Sequence, residues 1–263
     1  MTTTAARRAS APPYLRVVDD SEGVAPRLSV IIPAYNAAAL LAGTVERSLD
    51  HLRSRGLTFE VVIVNDGSRD GTSQIIRALE ESAPEVRSVT LPANRGKGAA
   101  VNAGYRVSRG ERILFMDADG ATDLEAIDRF LEALESSDVV IASRHHPRSQ
   151  VPVPQPFHRR LLGLAMRRIV GSATGVRLLD TQCGFKGFTR AAAALLFHQQ
   201  RIERFAFDVE ICYLARRFGL KLVELPVTWR DREHSSVRLL RDPLNMIVDI
   251  LRIRLNDLRG LYR

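Results

Sequence analysis

The sequence predicts an α/β protein with a mostly parallel sheet flanked by helices, and three observations carry that expectation. Short apolar runs rich in Val and Ile recur along the chain, each followed by a loop of Asp, Asn, Gly or Arg and then by a stretch with helical apolar spacing. That alternation is the mark of βαβ units. The run Ile113–Met116 is apolar throughout, as a strand covered on both faces must be, and it breaks at once into Asp117-Ala-Asp-Gly120. The 263 residues are 45% hydrophobic, which is enough for one substantial core of ordinary domain size.

Residues 1–27 mix Thr, Ala, Ser, Pro and acids without apolar periodicity, which predicts a disordered or loosely draped leader. The first strand is expected at Leu28–Ile32, where Pro33 stops a β-branched run. Pro33–Asn36 then turns into a helix through Leu40, Leu41, Val45, Leu49 and Leu52. A second buried strand, Phe59–Val64, ends in Asn65-Asp-Gly-Ser-Arg-Asp-Gly71 and leads to a helix over 72–81. Arg87–Leu91 reads as a third strand, followed by Asn94-Arg-Gly-Lys-Gly98 and a helix over 99–108. After the central strand at 113–117 come a helix near 124–134 and a strand at 138–142. Helices are expected over 157–170, over 191–197 and from about 204 to Arg217, where Gly219 closes the last of them. Leu222–Trp229 is the final strand, and Pro226 argues for an edge position. Residues 231–263 read as a basic tail with an amphipathic helix through Leu244, Ile247, Ile250, Leu251, Ile253, Leu255 and Leu258.

Charge narrows the partners. The net charge is +8, carried almost wholly by arginine, since the lysines are Lys97, Lys186 and Lys221 alone. Such a surplus favours anionic partners: phosphorylated ligands, an acidic membrane surface or nucleic acid. Against nucleic acid, the aromatic content is 6% and no aromatic-basic alternation or groove-reading motif is present. From Val139 to Leu179 there is no acid, while Arg144, Arg148, Arg159, Arg160, Arg167, Arg168 and Arg177 fall in that interval. The helix over 157–170 therefore suits an anionic membrane surface, and equally an ordinary core-facing helix with a solvated basic face. No apolar run is long enough for a membrane span and no secretory signal is evident, so a cytoplasmic protein, free or peripheral on a membrane, is expected. Cys183 and Cys212 fit neither a disulfide framework nor a zinc site and read as reduced and structural.

Residues i and i+2 of an extended segment share a side, so Asp117 and Asp119 are expected to face one ligand while Ala118 turns away. Two hard oxygen donors at the carboxyl end of a strand suit a divalent cation such as Mg2+ or Mn2+ that itself carries phosphate oxygens. Asp-x-Asp alone also describes a solvated acidic loop. Likewise Asp66-Gly67 and Asp70-Gly71 serve as turn signals, Lys186 reads as a surface residue, and Cys183 as packing.

Taken together, several segments resemble those of the family-2 inverting glycosyltransferases of GT-A fold, and among them the dolichyl-phosphate (polyprenyl-phosphate) β-glucosyltransferase group. They are Val30–Asn36, Val64–Thr72, Asn94–Gly98, Asp117–Gly120, Ser143-Arg144, Asp180-Thr-Gln-Cys-Gly-Phe-Lys186 and Phe205–Glu210, and the likeness spans about 28–238. The resemblance implies a catalytic domain over 28–230 with a nucleobase pocket lined by Pro33, Ala34 and Tyr35 and a base-binding Asp66. It also implies Lys97 near the ribose and phosphates, Asp117 and Asp119 at the metal, and Arg144, Gln182 and Lys186 near sugar and phosphates, with Asp208 orienting sugar or acceptor. Gly96 and Gly98 would let backbone approach a phosphate to which Lys97 supplies charge.

Two departures stand out. Ala37 replaces a glutamate common in relatives, and Ala121 stands where mannosyl relatives often place a third polar metal ligand, which points toward glucosyl transfer. The implied reaction moves a hexose, in first place glucose from UDP-glucose, onto a polyprenyl or dolichyl monophosphate with inversion. Arg232 and Arg238 would lie near the acceptor phosphate, an anionic membrane surface would carry the enzyme, and a homodimer follows from the resemblance alone. The alternatives are transfer of mannose from GDP-mannose, a soluble or polysaccharide acceptor, or a nucleotide-sugar-binding module without catalysis.

Overall fold

The computed structural model describes residues 25–152, 157–230 and 241–263. The expected leader up to residue 24, together with Arg232 and Arg238, lies outside them. Seven strands form one sheet in the order β3-β2-β1-β4-β6-β5-β7. They are β1 (Leu28–Ala34), β2 (Phe59–Asn65), β3 (Val86–Thr90), β4 (Arg112–Met116), β5 (Val139–Ser143), β6 (Phe185–Thr189) and β7 (Leu222–Pro226). The helices between them are α1 (Leu41–Ser54), α2 (Thr72–Ser82), α3 (Lys97–Val107), α4 (Ala126–Ala133), α5 (Phe157–Thr174), α6 (Arg190–Gln199), α7 (Phe207–Arg217) and α8 (Arg241–Leu258).

Alternation along β1 divides the core into two layers. Val30 and Ile32 face one side, where Leu41, Val45 and Leu49 of α1, Ile76 of α2 and Phe130 of α4 pack. Ile31 faces the other, with Val101 of α3, Leu196 of α6, Ile211 and Leu214 of α7, Met166 and Val170 of α5, and Ile250 and Ile253 of α8. The expected tail is thus part of the main core through α8, which packs on α5 and α7.

The expected strands and helices are present, with ends shifted by a few residues, and Pro226 does sit on an edge strand. One strand was not expected. Phe185–Thr189 forms β6, antiparallel to both β4 and β5, while the other pairings are parallel. Its Phe-Lys-Gly-Phe-Thr lacks the β-branched run of its neighbours, and its lysine is fully buried. The pairing sets Met116 opposite Phe185 and Ile141 opposite Lys186, so β6 begins at the edge where β4 and β5 end.

Gly104 shows how closely α3 lies on the sheet: a Cβ there would stand 2.5 Å from Ile31 Cγ2 and 2.9 Å from Val64 Cγ2. Gly104→Ala should therefore cost about 1–3 kcal/mol through overpacking, despite alanine's better helix propensity. Urea unfolding reads this directly, and an unshifted midpoint would mean that α3 can back away from β1.

Candidate active site

The sheet order places β1 between β2 and β4, whose connecting helices α1 and α3 lie on opposite faces. In open α/β sheets the crevice at such a switch point, beyond the carboxyl ends of the strands, is where ligands bind. Here that edge collects Tyr35 after β1, Asp66 after β2, Asp117 after β4, Arg144 after β5, and the Asp180–Gly184 segment leading into β6.

Asp117 is fixed by its backbone and by an empty space. Its N–H donates to Gly184 O at 3.0 Å, and a Cβ on Gly184 would fall 1.9 Å from Asp117 Oδ2. Only glycine lets the carboxylate lie there. The extended geometry expected for Asp117–Asp119 is replaced by a turn: β4 ends at Met116, and Gly120 N–H closes back on Asp117 O at 3.3 Å. Asp119 is oriented by its own loop, with Oδ1 accepting from Ala121 N–H at 2.9 Å.

Lys97 opens α3 and sets its Nζ 2.7 Å from Asp117 Oδ1 and 3.8 Å from Asp208 Oδ2. Burial pulls the pKa of Lys97 down, but the two carboxylates outweigh it and hold the ammonium charged well above its ordinary range. Behind it, Asp208 on the first turn of α7 also bonds Lys186 Nζ, which donates to Cys183 O at 2.7 Å and lies 5.3 Å from the Phe115 ring centre. The side chain of Lys186 is 0% exposed, so the surface reading of this lysine is overturned. The result is an alternating row, Asp117, Lys97, Asp208, Lys186, running from the crevice into the core. Asp117 is its open end, with 40% side-chain exposure against 4% for Asp208. Asp208 therefore meets the crevice through Lys97.

The Asp66 carboxylate is buried and holds the Asn94–Gly96 loop. Oδ1 accepts from Arg95 N–H at 2.8 Å, and Oδ2 accepts from Gly96 N–H at 2.8 Å and Asn94 Nδ2 at 2.9 Å. Burial raises its pKa and the loop amides only partly offset this. Among the expected base-pocket residues, Tyr35 is exposed and Pro33 half-buried, whereas the Ala34 side chain is in the core. The carboxylate missing at Ala37 has a substitute from the next loop: Asp70 Oδ2 accepts from Ala38 N–H at 3.2 Å.

Arg144 and Asp180 form a two-pronged pair, with Nε to Oδ2 at 2.7 Å and Nη2 to Oδ1 at 2.9 Å, and the guanidinium lies 5.4 Å from the Trp229 ring centre. Burial alone would raise the pKa of Asp180, but Arg144 brings it to about 2. Gln182 N–H donates to Asp180 Oδ1, and Gln182 Nε2 lies 3.5 Å from Met246 Sδ on α8. Glu224 of β7 accepts from the N–H groups of Leu179 and Asp180, a positioning role with no local sequence signal because the partners lie 44–45 residues apart. Cys183 and Cys212 are free and buried, and burial pushes both thiols up to about 12, so neither is a thiolate nucleophile.

The donors fit a hard divalent cation. Asp117 and Asp119 lie on one turn after β4, Asp117 with 40% side-chain exposure, and Gly184 keeps the Asp117 carboxylate in place. Among the described residues no group of three or more His, Cys, Asp or Glu could hold a metal. Further ligands would thus come from phosphate and water, the usual manner of Mg2+.

The pattern described as Glycosyl transferase family 2 matches residues 29–195, more than half of the chain. The chain belongs to glycosyl transferase family 2. The dolichyl-phosphate beta-glucosyltransferase of Homo sapiens is 37% identical over 251 residues, covering 90% of this chain and 78% of the human protein. The protein of the same name from Saccharomyces cerevisiae is 34% identical over 256 residues, covering 90% and 76%. A glucosyl-3-phosphoglycerate synthase from Mycobacterium tuberculosis, solved with Mn2+, UDP and phosphoglyceric acid, superposes with TM-score 0.63 at 20% identity, covering 88% of this chain and 78% of that one. Mannosyl-3-phosphoglycerate synthase from Rubrobacter xylanophilus gives 0.65 at 18%, covering 89% and 74%. These structural likenesses establish the GT-A fold. Asp208, Glu224 and α8 of this family-2 glycosyltransferase lie beyond the matched segment.

The Arg144–Asp180 pair makes a pH prediction for this family-2 enzyme. Because the folded pKa of Asp180 lies below its ordinary 3.8, its stabilising effect is complete above about pH 4 and is lost as pH falls through about 2. Asp180→Asn should cost about 1.5–3 kcal/mol at neutral pH by leaving a partly buried guanidinium without its counter-ion. In urea unfolding the gap to the parent should narrow from about pH 4 toward 2, whereas a constant gap would show that Asp180 is not ionised against Arg144.

Proposed function

We propose that this glycosyltransferase moves glucose from UDP-glucose onto a polyprenyl or dolichyl monophosphate, with inversion, at the cytoplasmic surface of a membrane. The substrate classes are supported by relatives at 34–37% identity that carry the name dolichyl-phosphate beta-glucosyltransferase. The lipid acceptor rests on one structural observation: Gln182, inside the segment that adjoins Asp117, touches Met246 of α8, whose opposite face is an uncovered apolar stripe.

That stripe consists of Leu244, Val248, Leu251, Leu255 and Leu258, spaced alternately by four and three residues. Ile250 and Ile253 point the other way, into the core, and Asp249 is buried on that side. Arg252 and Arg259 are exposed beside the stripe, and Leu164, Arg167 and Arg168 are exposed on α5, which packs on α8. Leucines bordered by arginines suit a helix lying at an anionic lipid surface, with arginine heads reaching the phosphates. Among the described residues no helix is long and apolar enough to cross a membrane.

In the reaction, an oxygen of the acceptor phosphate attacks the anomeric carbon as the bond from that carbon to the diphosphate breaks, and UDP leaves. A phosphate monoester has a second pKa of about 6, so the nucleophile is already ionised and needs no strong base. This agrees with the position of Asp208, which is occupied by two lysines. Lys97 neutralises charge on the donor phosphates, Asp66 holds the loop that approaches them, and Arg144 and Gln182 order the sugar side of the crevice. Bound at Asp117 and Asp119, Mg2+ or Mn2+ would supply positive charge to offset that growing on the departing diphosphate.

Two experiments test this. With UDP-glucose, polyprenyl phosphate in detergent and Mn2+, label should become lipid-extractable, and Asp119→Ala should lower the rate by roughly a hundredfold or more. Lipid label from GDP-mannose in place of UDP-glucose would change the donor, and no lipid label from any donor while UDP still binds would transfer the proposal to a soluble acceptor. Second, Leu251→Ser, Leu255→Ser and Leu258→Ser combined should reduce cosedimentation with phosphatidylglycerol vesicles by more than about tenfold and leave UDP affinity unchanged. Retained vesicle binding with loss of a dimer in sedimentation velocity would assign the stripe to a second copy of the chain.

A further inference from the structure

Glu210 and Tyr262 lie outside every role given above, yet both are sequestered in the core and bonded to each other. Glu210 is on the first turn of α7 and Tyr262 follows α8, and the Tyr262 hydroxyl donates to Glu210 Oε1 at 2.6 Å. The Glu210 carboxylate also accepts from Arg201 N–H at 3.0 Å and from Ile202 N–H at 2.8 Å, so it organises the turn between α6 and α7. A buried carboxylate needs such partners, but these ones belong to a turn with a second task.

That second task is to hold the start of α3. Glu203 O accepts from Ala99 N–H at 2.9 Å, and Gln200 Nε2 bridges Ile202 O at 2.8 Å and Gly98 O at 3.0 Å. The fit leaves no slack: a Cβ on Gly96 would lie 2.7 Å from Glu203 O, and one on Gly98 would lie 2.7 Å from Ile202 O and 2.6 Å from Phe207 Cβ. Gly96 also has φ +111°, a conformation that glycine alone adopts readily. The segment that carries Lys97 is thus clamped between Asp66 on one side and the 201–203 turn on the other. Tyr262 is in turn held through its main chain, with Arg217 Nη2 donating to its carbonyl at 3.0 Å and Arg263 N–H donating to Gln199 Oε1 at 2.9 Å.

We infer that Glu210 and Tyr262 are positioning residues for the donor-phosphate segment Gly96–Ala99, acting through the Arg201–Glu203 turn. The inference rests on the reading of Lys97 as a ligand of the donor diphosphate; Gly96 and Gly98, expected to let backbone approach a phosphate, instead make room for the turn and Phe207. It assigns to Tyr262 an effect on donor affinity although its hydroxyl reaches only Glu210 and Asn256 among the described residues.

Amide exchange and UDP titration on the full chain test it together. In Tyr262→Phe, exchange at Arg201, Ile202 and Ala99 N–H should rise about five- to tenfold, the scale of one lost hydrogen bond. Exchange in β1 and β2 should stay at the parent rate, and UDP affinity should fall severalfold. Glu210→Gln keeps an acceptor for the two amides and a donor for Tyr262 Oη and should remain near the parent, whereas Glu210→Ala should exceed Tyr262→Phe. Equal acceleration at all amides of Tyr262→Phe, or faster exchange at Ala99 with unchanged UDP affinity, would overturn the inference. Lys97→Ala is the control on its basis: if that variant binds UDP as the parent does, the donor-phosphate reading fails, while the exchange data still judge the connection from Tyr262 to Ala99.

Discussion

The placement of the Asp117 carboxylate against a glycine is the constraint on which the site depends. Gly184 is the residue before β6, and the N–H of Asp117 bonds to its carbonyl, so the close approach is made by the pairing of β4 with an antiparallel neighbour. A parallel strand in that position would deliver its other end to the crevice. The reversed direction of β6 brings the Asp180–Gly184 segment to the edge where β2 and β4 deliver their carboxylates. Both ends of that segment then acquire partners from other strands: Asp180 from Arg144 after β5 and from Glu224 of β7, and Gly184 from Asp117.

Charge inside the site is balanced by order. Asp117, Lys97, Asp208 and Lys186 alternate in sign, so no ion in the row faces a like neighbour, and the fully buried member has a carboxylate and a carbonyl as partners. A buried lysine without them would lose its proton or unfold its surroundings. The row ends at half-exposed Asp117, beside Asp119, so the acidic surplus lies at the crevice and the balanced part lies beneath it. That arrangement keeps Lys97 charged and fixed before any ligand arrives.

Much of the fold was legible because its strands are written in Val and Ile and punctuated by Pro, Gly and Asp. Leu28–Ala34 and Phe59–Asn65 needed no tertiary information, and Pro226 marked its own edge. Phe185–Thr189 failed that reading because a lysine and a glycine interrupt it, and what makes the lysine tolerable is Asp208, 22 residues away. The candidate site was legible as residue types: Asp66, Lys97, Asp117, Asp119, Arg144, Gln182, Lys186 and Asp208 all lie in or behind one crevice. Their division of labour was not. Asp66 holds a loop, Ala34 faces the core, and Glu224 and Gly184 matter through contacts that local pattern cannot express.

The scarcity of lysine has a practical side. Lys97 and Lys186 sit within the site, the first shielded by Asp117 and the second without any exposed surface, and Lys221 alone of the three is open to solvent. A reagent that modifies amines thus meets a molecule with almost no ordinary targets, since the surface cations are guanidiniums that do not react with it. Lysine labelled biosynthetically at its ε-nitrogen would give signals from three side chains alone, and that of Lys97 would report the electrostatic state of the crevice from inside it.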